Sequence, residues 1–451
     1  MSQHLDDPTE QATPEQSTGE LPATGPDPGE GSALRRLVRT AEIDTRLIGM
    51  LVALGIIWVT FHWLSGGTFL TPRNLWNLSV QSATVAIMAT GMVLVIVTRN
   101  IDLSVGSMLA VVGMAIALLQ AEILPQYLGF DHWATWIIAV LAGVLLGAAI
   151  GAFQGSIVAY VGVPAFIVTL GGLLVWRGVA WALASGRTIA PMDSTFQLLG
   201  GGSRGTIGGT WSWVIAGLGC AGIVAMLINS RRQRSKYGFR QRPLWAEITL
   251  GGIACAVLLL AVGVINRYYL PEALARQYAE DNNLVWPEAG LNISAGIAIP
   301  VLIAVGVALV MTYLTTRRRF GRYVFAIGGN PDAAELAGIN NRRTIVQTFA
   351  LMGGLVGLAA AVQVARLNAA TSGLGTLTEL YVIAAAVIGG TSLAGGVGTI
   401  PGAVLGAVLM QSLQSGMVLM GVDAPIQNVV VGIALVLAVT LDTVVRRRSS
   451  R

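Results

Sequence analysis

Charge is scarce in this chain. Of 451 residues only 11% are Asp, Glu, Lys or Arg, against about 25% in an ordinary soluble domain. Lysine is rarer still: Lys236 is the single one, and the other basic residues are Arg. A P-loop needs GxxxxGK[ST], with its Lys reaching the phosphates. Lys236 follows Arg-Ser and precedes Tyr237, so ATP hydrolysis by that route is excluded. Two cysteines, Cys220 and Cys255, cannot build a disulfide framework or a Cys-rich metal site. Both sit in apolar runs and read as small core residues. His4, His62 and His132 lie far apart and no HExxH occurs, which argues against a His-based metal centre. Nucleophile elbows, paired-carboxylate sites, long heptad arrays and nucleic-acid motifs are also missing. The sequence therefore points to no catalytic residue, no metal and no cofactor.

Apolar residues are what the chain has instead. They make up 54% of it, with a mean hydropathy of +0.69, which places it among membrane proteins. Twelve apolar blocks follow one another at roughly 47–64, 78–97, 104–120, 134–159, 163–184, 212–229, 248–266, 296–314, 344–364, 379–394, 397–416 and 426–445. Most approach the ~20 residues a spanning helix needs. The expectation is an all-α polytopic bundle of about twelve segments over 46–446. The tenth block is short and ends in glycines, so it reads as a half-helix. Irregular backbone at membrane depth is tolerated only against protein or a cavity, and such breaks point to a substrate path.

The ends of the chain are polar. Residues 1–30 hold seven acids and no Lys or Arg. Subtracting their −7 from the total of +5 leaves +12 for the rest. Residues 1–45 read as a disordered acidic extension on the cytosolic side, without the n-region and h-region of a secretory signal. Residues 447–451 form a short basic tail. The positive remainder belongs to Arg-rich loops and calls for no nucleic acid. Its clusters lie at Arg35, Arg36 and Arg39, at 231–242, at 317–322 with Arg342 and Arg343, and at 446–448. Six, two and four blocks separate them in turn. Every interval is even, so all four fall on one face, the cytoplasm by the positive-inside rule. Both termini are then cytoplasmic, and 185–210 and 267–295 become long external loops. Trp133, Trp136, Trp211, Trp213, Tyr268 and Tyr269 fall near block ends, where interfacial anchors sit.

Few polar groups enter the apolar blocks. Asp102 and Ser104 lie in TRNIDLSVGS (98–107), and Asp102 suits either a helix N-terminal cap or a substrate contact. Arg177 in 166–178 suits an ion pair, a snorkel to the interface or a path position. Glu379 opens the tenth block. The run GGTSLAGGVG (389–398) has no basic residue and reads as close packing or a backbone break rather than a phosphate cradle. It carries Thr391 and Ser392. These residues, with Tyr381, are the candidates for a translocation path. The stretch RRRFGRYVFAIGGNPDAAELAGINNRR (317–343) is too elaborate for a minimal connector. Asn330 offers an N-cap, Pro331 a first-turn residue, and Gly338 a left-handed stop. The expected product is a short helix held at the cytoplasmic face as a docking element, involving Asn330, Pro331, Ala334, Glu335, Gly338 and Ile339.

That stretch resembles the coupling loop of permease subunits in bacterial ABC importers for monosaccharides. IDLSVGSMLAVVG (101–113), VPAFIVTLGGLLVWRG (163–178) and AAAVIGGTSLAGGVGTIPGAVLGA (384–407) are similar to further segments of that family. The likeness spans roughly 45–448. The extra pair of blocks around 231–242 resembles the D-xylose permease branch more than the shorter ribose type. One position departs: the family commonly reads Glu-Leu-Asp before its glycine signature, and this chain has Tyr381 where the acid is expected. The resemblance implies a homodimer in the bacterial inner membrane with two cytosolic ATPase subunits and an extracytoplasmic sugar-binding protein. Closure of the ATPases would move the coupling helix, and the sugar, xylose or a related pentose or hexose, would pass unchanged. Two rivals remain at this point. An ion-coupled secondary transporter would need intramembrane ion-coupling acids, and few exist. A membrane enzyme would need a convergent polar site, and none is evident in the sequence.

Overall fold

The computed structural model describes residues 45–202, 204–239, 243–281, 283, 285–287 and 290–449. The acidic tail, the cluster at Arg35, Arg36 and Arg39, residues 240–242, and the last two residues of the basic C-terminal tail lie outside the described residues. Among the described residues ten helices are long and apolar enough to cross a membrane. They are α1 (Leu47–Leu64 of a helix beginning at Thr45), α2 (Pro72–Val97), α3 (Val105–Leu128), α4 (Thr135–Val161), α5 (Ala165–Ala184), α6 (Gly208–Lys236) and α7 (Leu244–Ile265). After the outer helix α8 (Glu272–Asp281) come α9 (Ile299–Arg317), the short helices α10 (Arg319–Gly329) and α11 (Pro331–Leu336), and α12 (Asn341–Leu367). The 11-residue α13 (Thr378–Ile388) precedes α14 (Ile400–Leu419) and α15 (Ala424–Ser449). Each of the twelve apolar blocks thus carries a helix, and the tenth carries the half-helix that its glycines suggest.

Local chemistry sets several of these ends. Pro72, Pro300 and Pro401 sit in the first turns of α2, α9 and α14, where the missing N–H costs nothing. Asn340 caps α12 by accepting from Arg343 N at 2.9 Å, and Asn368 closes it in the left-handed conformation. The block for α2 was read from residue 78. The helix begins six residues earlier, because Arg73, Asn74 and Asn77 are polar but lie on a helix entered through Pro72.

α2 is the centre of the bundle: 94% of its most apolar window is buried. It is surrounded by α9, α12, α13 and α14. In contrast α1, α5, α6 and α7 bury between 6% and 17% of theirs and present apolar side chains outward, such as Val59, Leu174, Leu218 and Leu260. Apolar side chains thus face outward as well as inward, as expected where lipid replaces water around the bundle. The most extensive pairing joins α4 to α12. Gly143, Gly147 and Gly151 recur every four residues along α4, and a Cβ at Gly147 or Gly151 would run into the carbonyls of Gly353 or Phe349. Small residues here let two backbones touch.

The two ends of the bundle differ. At one end lie 97–104, 157–164, 317–343 and 389–399. They are joined by Gly396 N donating to Val97 O (3.0 Å) and Arg99 donating to Gly328 and Gly329. This end carries the basic stretches. At the other end, isolated backbone bridges tie the long loops together: Ile189 to Ala370, Thr206 to Ala298, Gly208 to Gly296 and Tyr269 to Ser294. Trp76 donates its indole N–H to Gly296 O (2.9 Å), and Tyr268 packs on its ring with centroids 5.0 Å apart. Tyr268 is therefore a packing residue, while Trp133, Trp211 and Tyr269 are open, as anchors should be.

The tenth crossing is completed without a full helix. From Ala370, bridged to the outer loop, the chain runs irregularly inward to Leu377, becomes α13, and reaches the basic end at Gly395–Gly396. Loop and half-helix together span the distance of one traverse. α6 and α7 pair with each other and meet the rest chiefly at the outer end, through Ile265, Val301 and Trp76.

Candidate functional site

A polar cavity of about 220 Å³ lies inside the bundle, toward its outer half. Gln81 and Thr84 from α2, Gln363 and Arg366 from α12, and Gln411 and Gln414 from α14 supply most of its polar groups. The broken crossing adds Gly375, Thr376, Thr378 and Tyr381. Gln411 Nε2 lies 3.0 Å from Gln81 Oε1 and 2.9 Å from Gln414 Oε1, and Thr84 donates to Gln363 Oε1 at 3.1 Å. Hydroxyls and amides at this density in a lipid-facing fold are costly unless water or a solute meets them. Apart from Arg366 the lining is neutral, with donors and acceptors in balance. Such a wall suits an uncharged, hydroxyl-rich solute, and the volume, below the ~300–1,000 Å³ of drug-sized pockets, suits a small one.

Of the path residues expected from the sequence, the structure brings only Tyr381 to this cavity. Glu379 is buried two residues earlier, with Oε2 unpaired, packed where Gly106 has no side chain. A Cβ at residue 106 would strike that carboxylate. Among the described residues Arg177 makes no close salt-bridge contact. It donates from Nη1 to Ser372 O (2.9 Å) and Leu374 O (2.8 Å), satisfying backbone carbonyls left free by the broken crossing.

Asp102 and Ser104 lie together nearer the basic end. Asp102 Oδ1 accepts from Ser104 N (2.9 Å) and lies 2.6 Å from Ser104 Oγ. The helix starts at Val105 with Ser104 as its N-cap residue, so Asp102 closes the turn ahead of the helix rather than capping its first-turn amides. Gln154 Oε1 is 3.0 Å from the same hydroxyl while its Nε2 is orphaned. Turning that amide over gives a consistent relay, Gln154 Nε2 to Ser104 Oγ to Asp102. Thr391 and Ser392 are fully buried in the loop beneath α2. Ser392 Oγ accepts from Ala394 N (3.1 Å), and Gly398 packs against Thr391 and Val97. These four stand apart from the cavity lining.

Sequence reasoning missed Gln81, Thr84, Gln363, Arg366, Gln411 and Gln414. The signal was present: four Gln inside apolar blocks and an Arg just past the end of one. Neutral amides in apolar blocks stand out less than acids, because they carry no charge to be paired.

At the basic end the short helix expected from Asn330 to Gly338 has the form its start and stop signals imply. Asn330 Oδ1 accepts from Ala333 N (3.1 Å), and Gly338 takes a φ of +81°. Ile339 N donates to Ala334 O, closing the end. One orientation differs from expectation. Ala334 is buried against the chain itself, in a helix that packs on α10 and touches α12, so it presents nothing to a partner. Leu336 is 91% exposed and marks the outward face with Glu335 and Gly338. The loop also holds a second helix unforeseen in the sequence, α10, whose Val324, Ile327 and Gly328 face inward. A Cβ at Gly328 would strike the carbonyl of Val97. α10 is therefore seated directly on the end of α2.

An all-α polytopic bundle with a solute-sized polar cavity in its interior has the architecture of a membrane transport protein. The comparisons give its family. Residues 74–439 match the family described as branched-chain amino acid transport system / permease component. The chain belongs to that permease family and is not an enzyme. Among its relatives, the xylose transport system permease protein XylH of Escherichia coli (strain K12) is 35% identical over 407 residues, 90% of this chain and 94% of that protein. Its namesake in Haemophilus influenzae is 34% identical over 407 residues, 90% of this chain and 98% of that protein. The ribose import permease protein RbsC of E. coli (strain K12) is 33% identical over 396 residues, 88% and 92% of the two chains. No solved structure matches significantly.

Proposed function

We propose that the chain is the membrane-spanning subunit of an ATP-driven monosaccharide importer in the bacterial inner membrane, and that D-xylose is its sugar. Two copies would form the channel, with both termini cytoplasmic. The observation that carries the reading is the amide- and hydroxyl-lined cavity at the centre of the fold. Neutral donors and acceptors there can replace water around a sugar without holding it tightly, and a carrier must release what it binds. The relatives named for xylose and ribose transport support the substrate class.

ATP enters through a partner. The exposed face of α11, built on Leu336, is a short helix of the kind that needs a groove to be stable. A cytosolic ATPase seated there would push on α10, and α10 rests on the end of α2, which lines the cavity. An extracytoplasmic binding protein would deliver sugar to the opposite end. The test is uptake into proteoliposomes holding the chain, its ATPase and its binding protein. Uptake should require ATP, and Gln411→Leu should reduce it, since the side chain holding Gln81 and Gln414 in place is gone. Leu336→Asp should abolish co-purification of the ATPase. Xylose uptake driven by an ion gradient with no ATPase present would overturn the reading.

A further inference from the structure

The pair formed by α6 and α7 meets the rest of the bundle chiefly at its outer end. Toward the basic end, an open groove of about 420 Å³ runs between the two helices. Val224, Leu227 and Ile228 line it from α6, and Leu244, Ile248 and Gly252 from α7. Val224, Ile228, Leu244 and Ile248 are all exposed. Glycine keeps the bed open: a Cβ at Gly252 would meet nothing within 4 Å, while one at Gly251 would run into Leu227. From Leu244 to Cys255, the span that α7 contributes, the groove extends about 16 Å at ~1.5 Å per residue. That is the depth of one leaflet of a hydrocarbon core ~30 Å thick.

The two charged groups of the lining sit together at the mouth of the groove. Arg231 Nη1 donates to Glu247 Oε2 at 2.8 Å, and a guanidinium carries five N–H donors in all. Past the mouth α6 continues through Arg232, Arg234 and Lys236. The stretch 231–242 holds six basic residues and no acid. Tyr237 and Phe239 are exposed in it, and open aromatics at the end of an apolar helix mark the headgroup level. An apolar bed one leaflet deep, open along its side, therefore ends in a cationic mouth at the depth of lipid phosphates. That pattern fits a lipid with an anionic headgroup. It does not fit a second copy of the chain. A two-fold contact sets the same patch against itself, so the two basic stretches would meet as like charges.

We propose that the groove between α6 and α7 binds one anionic phospholipid, with an acyl chain against Ile228, Ile248 and Gly252 and its phosphate at Arg231. Glu247 has two effects on that site. It holds the guanidinium at the mouth, and its own charge weakens the hold on the phosphate. The bound lipid braces the helix pair at the end where the bundle does not. The inference is independent of the monosaccharide reading.

The test uses the full chain, purified in detergent and stripped of its own lipid. Dioleoyl phosphatidylglycerol or dioleoyl phosphatidylcholine is added at equal mole fraction, and bound lipid is counted by native mass spectrometry. The anionic lipid should be retained at least about fivefold over the zwitterionic one, the effect of one Arg near a membrane surface. Arg231→Gln should cut that preference about fivefold, and Glu247→Gln should raise it. Arg342→Gln, at the same end of the bundle but outside the groove lining, should leave it unchanged. Gly252→Phe should displace the lipid by filling the bed. Val224→Trp fills the same bed from α6 and serves if the first filling variant does not elute as folded protein. Equal retention of the two lipids overturns the anionic assignment. A loss with Arg342→Gln as large as with Arg231→Gln overturns the site in favour of general surface charge. Undiminished retention in the filling variants overturns the acyl-chain bed. Conversion of dimers to monomers by Gly252→Phe in phosphatidylcholine alone would make the groove an interface between copies, and would overturn the lipid site as well.

Discussion

Replacing Arg99 by Met should loosen the seat of α10 on the end of α2 while leaving the bundle folded. Arg99 lies just beyond the end of α2 at a φ of +63°, so a second non-glycine residue keeps the same backbone strain. Its Nε donates to Gly328 O at 2.9 Å and its Nη2 to Gly329 O at 2.7 Å. Met keeps most of the stem and removes the fork. A hydrogen bond from a charged group contributes about 1.5–3 kcal/mol. Exposure of the guanidinium reduces this, so two such bonds together give about 2 kcal/mol, or roughly 30-fold in the local opening equilibrium. The reporter is the amide of Gly396, which donates to Val97 O beneath α10. Its hydrogen exchange, with that of α10, should accelerate by this factor, while exchange in the buried middle of α2 stays slow. Transport per ATP hydrolysed should fall. Unchanged exchange in α10 and at Gly396 would refute the claim that Arg99 clamps α10 to the core.

Other substitutions test separate links. Gly147→Leu forces a side chain into the Gly353 carbonyl where α4 and α12 touch. It should destabilise the detergent-solubilised protein by at least the ~1–3 kcal/mol of core overpacking. Gly171→Leu, with open space around it, should leave the melting temperature unchanged, and equal melting of both variants would contradict the packing account. Glu379→Gln should insert normally and cut uptake by roughly tenfold, the effect of about 1.4 kcal/mol on a barrier. Its carboxylate is buried with an unpaired oxygen beside the cavity residues Thr378 and Tyr381. Full uptake by that variant would remove Glu379 from the path.

The helices were legible because lipid imposes a length and a composition on them. Twelve apolar blocks became twelve helices, and the glycines after Ile388 announced where one of them stops short. The short helix at 331–336 was legible for a local reason, the pairing of Asn330 and Pro331 with Gly338. Side-chain direction was not. Whether Ala334 faces outward depends on how its helix packs on α10 and α12, which propensity does not encode. α10 and α8 were missed because their apolar residues are spaced for one buried face, and a search for continuous apolar runs passes over such helices. The cavity was least legible of all. Gln81, Gln363 and Gln411 come from three blocks far apart in sequence, and only packing brings their amides together.

The interruption of the tenth crossing has a mechanical consequence. An unbroken helix is a strut: a push on one end is felt at the other. Here the strut is cut at Leu377, with irregular chain on the outer side, anchored by Arg177 and by the bridge at Ala370, and α13 on the inner side. The inner half ends in the turn at Gly395–Gly396, against which α10 rests. A displacement arriving through α10 can therefore tilt α13 about residue 377, where Thr376, Thr378 and Tyr381 bound the cavity, without dragging the outer loops along. The broken crossing has the geometry of a hinged flap rather than a piston, with the cavity floor on the inner half and the rim on the anchored outer half.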